Sequence, residues 1–217
     1  GNATDFGDLG ANARYATGIS SDTRGLFQGR GDSSNVIEYI TIANTGNATD
    51  FGDTSTGRGK TAGCASTTRG IFAGGNGLSN VIDYVTIANT GNATDFGDLT
   101  QARQFAAGAS NSTRGLFMGG NITLNHVNTV DYITIASTGN ATDFGNLSGI
   151  TEGSGGAANS TRALSGGGYG ANLGSGSNHR EIDYFTIAST GDATDFGDLT
   201  VGRSSIAGAS VVHGGLA

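Results

Sequence analysis

Few side chains in this chain have the type and spacing to do chemistry, and each has a structural reading beside it. Arg30-Gly31-Asp32 spells the tripeptide that integrins read, at a loop position where related segments carry glycine. Gly57-Arg58-Gly59-Lys60-Thr61 resembles the end of a phosphate-binding loop. The leading glycine of that motif falls on Thr54 and no strand-to-helix context surrounds it, so the reading fails. Asp-Phe-Gly, spelled like a kinase metal motif, occurs at Asp5, Asp50, Asp95, Asp143 and Asp195 without kinase companions, which makes it structural. The pairs Asp5/Asp8, Asp50/Asp53, Asp95/Asp98 and Asp195/Asp198 offer oxygens to a hard cation such as calcium, while Asn146 breaks the pair after Asp143. The same carboxylates suit turn and strand-end hydrogen bonds, and the dense spacing of a calcium loop is missing. His126, His179 and His213 have no Ser-His-acid or Cys-His spacing around them. Cys64 stands alone, which rules out an internal disulfide, and no Cys/His cluster has zinc spacing. The Asn-x-Ser/Thr sequons, such as those at Asn47, Asn92 and Asn140, sit where tight turns want asparagine. The chain reads as a non-enzyme with no catalytic residue and no cofactor, and no residue is assigned to a metal.

Composition narrows the classes further. Lys and Arg number 11 against 18 Asp and Glu, a net charge of −7, which argues against nucleic acid as a partner. No apolar run approaches the roughly 18–20 residues of a membrane helix, so membrane insertion is not expected. Glycine accounts for 40 of 217 residues, but no Gly-X-Y period marks it as collagen. Charged residues are only 13%, which closes the charge-driven route to disorder. Gly1 opens in mid-pattern, which predicts a segment of something longer.

The elements that must position these residues come from a repeat. Its opening phrase, GNATDFGDL, begins at Gly1 and returns with small changes at Gly46, Gly91, Gly139 and Gly191. TRGLFQGR, from Thr23, returns as TRGIFAGG, TRGLFMGG and TRALSGGG, and NVIEYITIANT, from Asn35, returns as NVIDYVTIANT, NTVDYITIAST and REIDYFTIAST. The fifth copy stops partway through its second phrase. Each unit reads as four short strands. The first is an Arg followed by small residues, as in RQFAAGAS from Arg103, and the second is the TRGLF phrase. The third, VDYITIA, is dense in β-branched and aromatic residues, and ATDFGDL is the fourth. No window carries a helical period.

Four strands in roughly 45–50 residues, repeated in tandem, is the arithmetic of an all-β propeller, whereas solenoid coils run about 20–30. The expected domain is one propeller over residues 1–217, most simply of five blades. The N-terminal phrase would close the last blade as its outer strand, and an open arc of a larger ring is the alternative. In such blades Arg24, Arg69, Arg114 and Arg162 begin each second strand, and Glu38, Asp83, Asp131 and Asp183 lie near the start of each third. These eight are expected to be buried structural clamps. Each Arg would reach its acid, or several carbonyls along the sheet or on the next blade.

The Arg-led first strand, the diglycines Gly74-Gly75 and Gly119-Gly120, the acid-Tyr pairs such as Asp131-Tyr132 and the fourth-strand aromatic resemble the kelch repeat. Phe6, Phe51, Phe96, Phe144 and Phe196 stand where kelch repeats usually carry Trp, so this is a kelch-like variant. The wording is similar to tandem arrays of marine bacteriophages, cyanophages especially. That resemblance implies a virion protein of a tail fibre or appendage and a virion location.

The copies differ most in the loop after the second strand: GRGDSSN, GGNGLSN, GGNITLNHVN and GGGYGANLGSGSNHR in turn. Loops of varied length on one face of a rigid ring make a binding platform. Candidate ligand-binding residues there are Arg30, Asp32, Asn76, Asn121, Asn125, His126, Tyr169, Asn172, Asn178 and His179. The expected function is non-enzymatic recognition of a host-surface ligand such as a glycan. The rival is a structural spacer or decoration domain that contacts neighbouring virion subunits.

Overall fold

The computed structural model describes residues 2–123, 125–170 and 177–209, and no helix occurs among them. Four antiparallel four-stranded sheets follow one another along the chain, each in simple up-and-down order. The first sheet is Thr17–Ser20, Arg24–Gln28, Val36–Thr41 and Thr49–Asp53. The second is Ala62–Ala65, Arg69–Ala73, Val81–Thr86 and Thr94–Asp98. The third sheet, Ala107–Ser110, Arg114–Met118, Thr129–Thr134 and Thr142–Asn146, carries an extra hairpin at Asn121–Ile122 and Asn125–His126. The fourth is Gly155–Ala158, Arg162–Gly166, Glu181–Thr186 and Thr194–Asp198, with a short pair at Tyr169–Gly170 and Ser177–Asn178.

Both faces of the inner sheets are apolar because each sheet is covered on two sides. Ile133 and Ile135 of the third sheet pack with Cys64, Ile71 and Phe96 of the second. Leu116, Val130 and Phe144, on the opposite face, pack with Ala163, Phe185 and Ile187 of the fourth. Alternation along a strand sends neighbouring residues to opposite faces, so one third strand serves two cores. The fourth-strand phenylalanines stand edge-on to the third-strand tyrosines, with centroids 5.9 Å apart for Tyr39–Phe51 and 6.0 Å for Tyr84–Phe96. That is the favoured aromatic geometry.

Small residues make up the first strands because these strands crowd together. A Cβ on Gly108 would collide with the Gly63 carbonyl oxygen, and one on Gly156 would meet Gly108 in the same way. Gly18, Gly63, Gly108, Gly156 and Gly208, one from each repeat unit, line a common cavity of about 330 Å³.

Two features of the strands depart from expectation. The first strand does not begin at Arg103 but at Ala107, because Phe105 adopts φ 57° and interrupts the extended path. The acid-bearing third strands pair irregularly with the fourth, with a register shift just before Glu38, Asp83, Asp131 and Asp183. Such a bulge re-aims a side chain, here the acid.

The N-terminal phrase is not a strand. Residues 2–9 nevertheless lie against the first sheet as each fourth strand lies against the sheet that follows it. Gly46 donates its N–H to the Phe6 carbonyl (2.7 Å), as Gly91 does to Phe51 and Gly139 to Phe96. The asparagine of each opening phrase tightens this seam: Asn92 Oδ1 accepts the Asp53 N–H and Asn140 Oδ1 the Asp98 N–H. Asp192 replaces asparagine in the fifth copy and still accepts the Asn146 N–H (2.9 Å), since only an acceptor oxygen is needed. The last residues of the expected closing blade, 210–217, lie outside the described residues.

Cys64 is buried between sheets, and burial pushes its thiol up to about 12. A raised pKa leaves only about one molecule in ten thousand as thiolate at pH 8, and the thiolate is the reactive form. Native protein is therefore expected to resist a disulfide-exchange thiol reagent at pH 8 and to react stoichiometrically once unfolded. Rapid labelling of the native chain would contradict this burial.

Candidate binding face

The acids of the third strands do not pair with the arginines that begin the second strands. Register sets Arg24 opposite Thr41 and Phe27 opposite Glu38, and the other sheets repeat this offset. The expected Arg–acid pairs within one sheet are thereby corrected: the two groups sit at opposite ends of neighbouring strands. Arg24, Arg69, Arg114 and Arg162 instead lie over Tyr39, Tyr84, Tyr132 and Tyr184, at 4.6–4.8 Å from the ring centroids. Three of them reach the following sheet. Arg24 Nη1 donates to the Ile87 and Ala88 carbonyls, Arg69 Nη1 to Ile135 and Arg114 Nη1 to Ile187, all at 2.9 Å. They are half-buried, and Arg162 is exposed with no such carbonyl among the described residues.

Two of the acids are served by other arginines, from the segments leading into the second and third sheets. Arg58, 1% exposed, is satisfied at every nitrogen. Its Nε donates to the Gly74 carbonyl (2.7 Å), Nη1 to the Thr56 hydroxyl (2.7 Å) and Nη2 to Asp83 (2.9 Å). Arg103 occupies the equivalent place and pairs with Asp131 at 3.0 Å. Burial pushes its guanidinium pKa down, opposed by the pull of Asp131. Its Nε and Nη1 find no partner among the described residues. In the first sheet Ala13 holds that place and Arg30 supplies the cation from the loop, 2.6 Å from the longer acid Glu38. Each acid also accepts an N–H from the chain leaving the preceding fourth strand: Gly10 to Glu38, Ser55 to Asp83, Thr100 to Asp131 and Ser148 to Asp183.

This accounts for the Arg-Gly-Asp tripeptide. Arg30 is bound to Glu38, and Asp32 is bracketed by Arg14 and Lys60, each at 3.0 Å. Both charges are paired within the chain.

The remaining loop residues divide into groups. Asn76 is tied in by Lys60 Nζ (3.2 Å) and donates to the Asp32 carbonyl. Asn121 pairs with His126 in the small hairpin, and Asn125 and Asn178 are exposed. His126 and Tyr169, from neighbouring sheets, meet edge-on at 5.5 Å, with His126 Nε2 3.6 Å from Glu152. His179 does not join them; it is 7% exposed and faces inward. Asn172 lies outside the described residues.

The residues that sequence reasoning missed lie beside these loops. Tyr15, Lys60, Phe105, Gly153 and Ser205 occupy the same place in the five units, and their φ angles are 56°, 59°, 57°, 62° and 54°. All five line one cavity of about 330 Å³, together with Thr17, Thr61, Ser154 and Ile206. Lys60 Nζ sits 5.0 Å from the Tyr15 ring centroid and 5.2 Å from that of Phe105, and the two rings stand edge to face. A left-handed φ is strained for residues other than glycine, at a cost of order 1–3 kcal/mol. Four of the five units carry that cost. The sequence carries no signal for it, because the positions on either side vary between units as well.

No protein-family model matches this chain, and no curated protein matches it either.

Proposed function

We propose that the chain is a five-bladed, kelch-like propeller that binds a surface ligand, such as a glycan, at the mouth beside its variable loops, without catalysis. The four like sheets, their crowded glycine strands and the cavities drawing one residue from each of five units support the ring. The seam made by residues 2–9 supports the N-terminal phrase as the closing outer strand. The observation that carries the function is the set of five different residues at one strained backbone position around a shared cavity. Strain of this kind concentrates at functional sites. The cavity falls within the roughly 300–1,000 Å³ of small-ligand sites. Tyr15 and Phe105 offer ring faces for stacking on a sugar, and Lys60 and the hydroxyls offer polar contacts. Location on a virion appendage rests on the resemblance of the repeat wording alone.

The test is glycan-array and whole-cell adsorption with the wild type and with Tyr15→Gly/Phe105→Gly. The double variant is expected to lose binding at least tenfold while its melting temperature holds or rises, because glycine relieves the left-handed φ. Absence of wild-type binding to any saccharide or cell, or undiminished binding by the variant, overturns the proposal. One observation favours the spacer reading. Phe196 is 55% exposed and Arg162 finds no carbonyl among the described residues, which leave this side of the fourth sheet uncovered.

A further inference from the structure

The fourth sheet departs from the others at two buried positions that face each other. Thr151 stands in the place of Arg58 and Arg103, and Ser165 in the place of Phe72 and Phe117. Between them lies a cavity of about 70 Å³, lined by Thr151, Ser165, Gly167, His179, Glu181 and Asp183. A water needs roughly 10–15 Å³ by this measure, so the space is generous for a small polar group. The acceptors that cradle the Arg58 guanidinium recur around it. Arg58 donates to the Gly74 carbonyl, lies near those of Phe72 and Val81, and pairs with Asp83. Gly167, Ser165, Glu181 and Asp183 hold the same four places in the fourth sheet. Asp183 accepts from the Ser148 N–H and hydroxyl (both 2.9 Å), but no arginine or lysine pairs with it among the described residues. A second observation points the same way. His179 lines the cavity, is more than nine-tenths buried, and its Nε2 has no partner among the described residues.

We propose that this cavity binds a guanidinium group, seated where the other sheets place their own arginine. The planar fork of a guanidinium matches a carboxylate flanked by carbonyls, whereas an ammonium offers only a point charge. The group comes either from a free guanidino compound or from an arginine side chain of a peptide. The site is independent of the ligand proposed for the mouth.

Thermal melting with methylguanidine at low millimolar concentration, and with a short arginine-containing peptide, tests this. At ten times the dissociation constant, a rise in melting temperature of about 3–6 °C is expected. Methylammonium at the same concentration should do less. Thr151→Arg supplies the group internally; it should melt higher than wild type and lose the response to added ligand. A response to methylguanidine alone identifies a free-compound site, and a stronger response to the peptide identifies an arginine side chain. No saturable rise with either, or the same rise in Thr151→Arg, overturns the proposal. Should that variant not fold, amide chemical-shift titration of the wild type decides. Saturable shifts at Ser148 and His179 support the site, and shifts confined elsewhere overturn it.

Discussion

Replacing Arg58 by methionine is expected to destabilise the protein by about 3–5 kcal/mol, measured by denaturant unfolding followed by tyrosine fluorescence. Asp83 is fully buried, and Arg58 is the only cation paired with it among the described residues. Loss of that cation leaves a buried carboxylate without its counter-charge, and the Gly74 carbonyl loses the Arg58 donor. The double variant Arg58→Met/Asp83→Leu should recover most of the loss, because a buried ion pair replaced by apolar side chains of similar volume is often near neutral. Arg103→Met should cost less than Arg58→Met. Two nitrogens of Arg103 are buried without partners among the described residues, so its removal also relieves an existing desolvation cost. Equal losses for the two variants would show that hydrogen-bond satisfaction does not distinguish these pairs.

Phe117→Ala should cost about 3–5 kcal/mol. The ring is fully buried and packs in the core shared by the second and third sheets. The equivalent position in the fourth sheet is Ser165, whose hydroxyl donates to Ser154 at 2.9 Å. Ser165→Ala removes one hydrogen bond and leaves Ser154 without that partner, so its cost should be nearer 1 kcal/mol. Unfolding midpoints at unchanged denaturant slope report both. A Phe117→Ala loss below that of Ser165→Ala would mean that the cores between sheets are not equivalent in packing.

These two experiments also mark where sequence reading succeeded and stopped. The strand set was legible because each unit repeats its own pattern. The β-branched and aromatic third strand, the diglycine after the second and the small residues of the first all recur in step, and local chemistry suffices to read them. The partners of the acids were not legible. Asp83 and Arg69 are close in the repeat, yet antiparallel register puts them at opposite ends of their strands, while Arg58 approaches from the segment leading into the sheet. A period identifies equivalent positions within units; it does not say which positions of different strands touch. The mouth was hidden for a related reason. Nothing in Tyr15, Lys60, Phe105 or Ser205 announces a left-handed φ, because the path of the chain between sheets imposes it against their preference. The cavity of the fourth sheet required the tertiary structure most of all. Thr151 and Ser165 are unremarkable as residues, and only the packing of one sheet on the next makes their two substitutions a single space beside Asp183.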